Sequence, residues 1–113
     1  MGFLLKILIT ATAAIIAAYI LPGVTLDSLM TALVVGLILS LLNAIVKPVL
    51  VVLTIPITIL TLGLFLLIIN ALLVFVTDYF VDGFAVSGWI TAILFSLIVS
   101  LVTYILDALA DRD

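Results

Sequence analysis

Four long apolar runs constrain this chain more than any other feature. A helix needs about 20 apolar residues to cross the hydrocarbon core of a bilayer. The run from Phe3 to Leu21 carries one charge, Lys6, and is broken by Pro22-Gly23 and the polar pair Asp27-Ser28. Leu29 to Val46 forms a second run, closed by Lys47-Pro48, and Leu62 to Phe80 a third, with Asp78 near its end. Turn residues recur at Asp82-Gly83 and Ser87-Gly88, and the fourth run, Trp89 to Leu106, ends at Asp107. With 69% hydrophobic and 8% charged residues, the chain has too little polar surface to coat a water-facing globule. A soluble enzyme, a nucleic-acid binder and a disordered tail are excluded. The spacing predicts an all-α integral membrane four-helix bundle, a single domain over residues 1–113 whose first partner is the lipid bilayer.

Residues 48–61 are apolar but interrupted by Pro48 and Pro56, and fourteen residues are short for a fifth crossing. Proline lacks an N–H and disfavours helix at the residue before it, so breaks are expected near Lys47 and Ile55. Thr54, Thr58 and Thr61 follow helical spacing, which predicts that helix resumes near Pro56 and runs into the third span. Each threonine is positioned to bond its own i−4 carbonyl or to cap the resumed helix. The segment reads as a connector at the interface. Four crossings then put Lys6, Lys47 and Arg112 on one side and Asp27, Asp78 and Asp82 on the other. By the positive-inside rule this predicts both termini in the cytoplasm, in a multi-pass protein of the bacterial inner membrane.

Sliding the sequence by 60 residues aligns Gly23–Val46 with Gly83–Leu106, and 8 of 24 positions are identical: Gly23/Gly83, Thr31/Thr91, Ala32/Ala92, Leu37/Leu97, Ile38/Ile98, Ser40/Ser100, Leu41/Leu101 and Ile45/Ile105. The first and third runs align more weakly, through Leu4/Leu64, Ile9/Ile69, Ala11/Ala71 and Tyr19/Tyr79. The chain therefore reads as two tandem two-helix repeats, about 1–47 and 62–107, joined by the connector 48–61. An even number of crossings per repeat makes them parallel, related by a two-fold axis along the membrane normal.

A narrow polar stripe accompanies the duplication. Gly36, Ser40, Asn43 and Lys47 share one face of the second span, and Ser96, Ser100, Thr103 and Asp107 occupy the matching positions of the fourth. Small and polar residues on one stripe let membrane helices approach closely and hydrogen-bond. The spacing predicts that spans two and four face each other, with Lys47 paired to Asp107; the competing reading is that both charges reach the headgroups. Asn43 and Asn70 are amides within apolar spans and need protein or water partners, as interhelical glue or as groups lining a path. Thr10, Ala14 and Ala18 form a small-residue packing face on span one.

The chemistry is otherwise sparse. Asp78 and Asp82 lie one turn apart near the outer surface, without a third ligand nearby, and read as a solvated loop end. Tyr19, Tyr79, Phe80, Phe84 and Trp89 flank the outer turns as an aromatic belt does. The chain has no Cys, His or Glu, no serine with a candidate base and no phosphate-cradling glycine loop. No catalytic, metal or cofactor site is predicted.

The run Asn43-Ala44-Ile45-Val46-Lys47-Pro48 is followed by Leu53-Thr54-Ile55-Pro56-Ile57-Thr58-Ile59-Leu60-Thr61-Leu62-Gly63-Leu64-Phe65, by Ile69-Asn70-Ala71 and by Gly83-Phe84-Ala85-Val86-Ser87-Gly88-Trp89. In this order they resemble phage holin superfamily IV, the mycobacteriophage holin-like family of small bacterial membrane proteins. The resemblance implies a four-span inner-membrane protein. Its characteristic residues fall on Asn43, Lys47, Pro48, Thr54, Pro56, Thr58, Gly63, Asn70, Gly83 and Gly88. It implies a holin-like protein that self-associates as a homo-oligomer and affects membrane permeability. Two other readings stand beside it: an accessory or scaffolding subunit docked on a larger membrane-protein partner, and a small carrier with a site around Asn43 and Asn70.

Overall fold

The computed structural model describes residues 2–110, so Arg112, the third base in the charge argument, lies outside the described residues. Helix α1 (Phe3–Ile20) is followed by a short strand β1 (Val24–Leu26) and helix α2 (Leu29–Leu41). The chain then passes through a π-helical turn at Leu42–Val46 into α3 (Lys47–Leu53) and α4 (Ile55–Leu60). Helix α5 (Phe65–Phe80), strand β2 (Phe84–Val86) and helix α6 (Trp89–Ala110) complete it. Three stretches are long and apolar enough to cross a membrane: α1, the 25 residues from Leu29 to Leu53, and α6. Helix α5 is apolar but shorter, at 16 residues or about 24 Å of rise.

The break expected at Lys47 does not occur. Pro48 has no N–H to give to the carbonyl of Ala44, and in a regular α-helix its ring would press on that carbonyl. The π turn just before it removes the conflict: the Lys47 N–H donates five residues back, to the Leu42 carbonyl, and helix continues to Leu53. The break expected at Ile55 is present, with Thr54 closing α3 and Pro56 in the first turn of α4.

Helix α4 does not run into the third span as the threonine spacing predicts. It ends in a Schellman motif, in which Gly63 N–H donates to the Thr58 carbonyl (2.8 Å) and Leu62 N–H to the Ile59 carbonyl (3.1 Å). Leu62 (φ 58°) and Gly63 (φ 90°) both turn left-handed there. Thr61 then caps α5, its hydroxyl accepting from Phe65 N–H at 3.1 Å. Thr54 and Thr61 donate to their i−4 carbonyls at 2.7 and 3.1 Å, whereas the Thr58 hydroxyl is buried without a partner.

Neighbouring helices go round in the order α2, α1, α6, α5, with α5 closing more lightly on α2 and α3. Small residues make this possible. Ile9, Thr10, Ala11, Ala13, Ala14 and Ala17 are buried on α1, so both neighbours come close to its backbone. Phe95, Leu73, Val35 and Val74 fill the interior as its largest fully buried apolar side chains. Leucine, isoleucine and aromatic side chains cover the outside, where lipid replaces water as the solvent.

At one end the two turns are sewn together by β1 and β2, an antiparallel ribbon that the turn signals did not predict. Its register is Val24↔Val86, Thr25↔Ala85 and Leu26↔Phe84, centred on two residues 60 positions apart. The flanking bonds recur with the same shift: Asp27 N–H donates to the Gly83 carbonyl and Ser87 N–H to the Gly23 carbonyl, both at 3.0 Å. Leu21 and Val81 N–H likewise close their helices onto Ala17 and Thr77.

Positions 60 residues apart differ near the ribbon. A groove of about 460 Å³ is lined by Ile15, Ala18, Tyr19, Val24, Leu26, Ser28 and Leu29. At the shifted positions Phe75 and Trp89 stack edge to face, with ring centroids 4.9 Å apart, and the Asp78 carboxylate accepts from Val86 N–H at 3.0 Å. Asp78 is thus a strand cap, not a solvated loop end. The double variant Ile15→Phe/Leu29→Trp should rebuild the aromatic pair in the groove and stabilise the fold by about 1 kcal/mol beyond the two single variants combined. A double-mutant cycle of thermal unfolding in detergent measures this.

Candidate functional site

The polar stripe of the sequence divides into three parts. Gly36 meets α1 so closely that an added Cβ would lie 2.6 Å from the Ile7 carbonyl oxygen and 2.9 Å from Ala11 N. One turn on, Ser40 Oγ donates to Thr10 Oγ1 at 3.3 Å across the same buried seam. These two residues hold α2 against α1.

The second part is a small, partly open cavity, with Asn43 and Ser100 exposed at its rim. Asn43, in the π turn, and Lys47, one turn further, line it together with Asn70 of α5 and Ser96 and Ser100 of α6. Leu39, Val74 and Val99 form its apolar walls. Its volume is about 30 Å³, enough for one or two water molecules. Spans two and four therefore present their stripes to a shared cavity from across the bundle and do not pack directly as expected. Ser96 donates its hydroxyl proton to the Ile93 carbonyl at 2.8 Å, so its oxygen lone pairs remain available. Among the described residues no carboxylate lines the cavity.

The third part lies at the end of α6. Asp107 Oδ2 is 3.9 Å from Lys6 Nζ, the ion pair found among the described residues. The expected Lys47–Asp107 pair is not formed. Its replacement follows from the helix order: α6 adjoins α1, so Asp107 meets the base on α1. The position on α5 that corresponds to Lys6 is Leu66, and among the described residues Lys47 has no such partner. Asp107 Oδ1 and Thr103 Oγ1, one turn apart, are buried without hydrogen-bond partners.

The remaining residues singled out in the sequence are structural in placement. Pro48 follows the π turn, and Thr54, Pro56, Thr58 and Gly63 shape the α3–α5 connection. Gly83 forms the turn into β2, and the Gly88 carbonyl accepts the first bond of α6, from Ala92 N–H at 2.8 Å. Lys6 was not part of the predicted stripe; its only signal was an unpaired charge close to the start of span one. Leu39, Val74 and Val99, the cavity walls, carried none, since aliphatic residues at helical spacing occur on every face of this chain.

The family described as mycobacterial 4-TMS phage holin, superfamily IV, matches residues 1–105. The chain belongs to this family. The match takes in α1 to α5, most of α6 and the cavity residues, and stops just before Asp107. Among relatives of the holin-family chain, an uncharacterized protein of Streptomyces coelicolor is 42% identical, over 99% of this chain and 98% of the relative. The uncharacterized membrane protein YvlD of Bacillus subtilis is 38% identical, over 84% of this chain and 81% of its own. No solved structure matches.

Proposed function

We propose that this holin-family protein is a non-enzymatic, multi-pass component of the bacterial cytoplasmic membrane that self-associates and affects permeability as an assembly. The observation that carries the reading is the flank between α1 and α2. There Lys6, Ser40 and Asn43 line an open groove of about 390 Å³ with Gly2, Phe3 and Ala44, and Asn43 is exposed. An amide on a lipid-facing surface calls for a protein partner. A cavity of about 30 Å³ gives a single bundle no continuous aqueous path, so any leak must arise between copies.

The protein has both termini in the cytoplasm and consists of two tandem hairpins, 1–47 and 62–107, joined by 48–61. The Lys6–Asp107 contact favours this topology, because it holds the start of α1 and the end of α6 at one end of the bundle. Hydrogen bonds that recur after 60 residues favour the duplication.

The chain extracted from its native membrane in mild detergent is expected to migrate as a multiple of its 12.0 kDa mass, and its overexpression to release a trapped dye. Asn43→Leu should shift the assembly towards single copies and abolish release. Single copies with intact dye retention overturn the proposal, as does a stoichiometric complex with a different, larger membrane protein.

A further inference from the structure

We propose that the small, partly open cavity bounded by Asn43, Lys47, Asn70, Ser96 and Ser100 binds a monatomic halide, chloride or bromide. Lys47 brings the cavity one ammonium group, Asn43 and Asn70 two amides that can turn N–H groups inward, and Ser100 on α6 a hydroxyl, and among the described residues no carboxylate lines it. Asp107, the acid at the position matching Lys47, is taken by Lys6 on the other side of the bundle. A half-buried ammonium in an apolar span needs a counter-charge, and none lies within ion-pair distance of Lys47 among the described residues.

Size and wall chemistry select the ligand. About 30 Å³ admits a monatomic ion and excludes phosphate or a carboxylate. The single positive charge matches a monovalent anion. Leu39, Val74 and Val99 close the remaining sides with methyl groups, which suit a large, weakly hydrated halide better than fluoride. The site needs only the folded bundle and does not depend on self-association.

The test uses the full chain in an uncharged detergent at constant ionic strength. Sodium chloride or bromide in place of gluconate should raise the unfolding temperature saturably, and the protein should broaden the chlorine NMR line. Lys47→Met should abolish both effects, while Lys6→Gln, which removes a charge outside the cavity, should keep them. Should Lys47→Met fail to fold, Asn70→Leu is the second variant, expected to weaken halide binding about tenfold by removing one donor and filling space. The same unfolding temperature in every sodium salt with no line broadening overturns the proposal, as does undiminished broadening in a folded Lys47→Met or Asn70→Leu protein. Single copies in detergent that still bind bromide would reject the assembly reading and leave the site standing.

Discussion

Gly36→Val is expected to lose about 3 kcal/mol or more of stability and to leave little folded protein in detergent. Any Cβ at position 36 would fall 2.6 Å from the Ile7 carbonyl oxygen, 2.9 Å from Ala11 N and 3.0 Å from Ala11 Cβ. Two of these are backbone atoms in the middle of α1, so no rotamer change relieves the overlap and the helices must separate. Separation would also part Ser40 from Thr10 and uncover buried alanines. In lipid no hydrophobic effect draws the two helices back together, because lipid tails solvate apolar side chains as well as another helix does. Gly36→Ser discriminates sharply. Serine is the residue at the matching position, Ser96, where it is buried against the looser α5–α6 side. If proximity to α1 is what requires glycine, serine must fail at 36 by about 2 kcal/mol, although the chain uses it 60 residues later. Reversible unfolding in mixed micelles reads both variants, and a wild-type midpoint for Gly36→Ser would show that the seam is wider than 2.6 Å implies.

The apolar helices and the turns between them were legible because each depends on hydropathy or spacing alone. What the sequence did not disclose are the points where backbone geometry or helix order decides. Pro48 signals a helix break by every local rule, and only a wider π turn, invisible in composition, lets the helix continue past it. Leu62 is a bulky residue in a left-handed conformation, so the stop after α4 carried no more than the hint of Gly63. The partner of Asp107 depended on which helix lies beside α6. Opposite charges at matching positions pointed to Lys47, but depth is shared by every helix of a bundle, and the ring order chose Lys6. The candidate cavity was half legible. Asn43, Lys47, Ser96 and Ser100 stood on the predicted stripe and Asn70 stood out as an isolated amide, but nothing in one dimension said that α5 would bring Asn70 to the same place.

The other large effect belongs to the ribbon end. Gly83→Ala should cost about 2–3 kcal/mol, and Gly23→Ala about half as much, although the two glycines align when the sequence is slid by 60 residues. Gly83 holds φ +91°, a conformation an L side chain adopts only under strain, and its new Cβ would sit 2.7 Å from Asp27 Oδ2 and 3.1 Å from Thr31 Oγ1. Gly23 has no such φ, and an added Cβ there meets Ser87 Oγ at 2.5 Å and the Thr91 side chain at 2.9 Å, groups that a second substitution can remove. Ser87→Ala should therefore restore most of the stability lost in Gly23→Ala. Asp27→Ala should restore little in Gly83→Ala, since clearing the contact leaves the backbone strain in place. Both glycine carbonyls accept the ribbon's flanking bonds, so amide exchange at Asp27 and Ser87 should rise in step with the stability loss. Equal costs at positions 23 and 83, or full rescue by Asp27→Ala, would mean that the left-handed turn is not what demands glycine at 83.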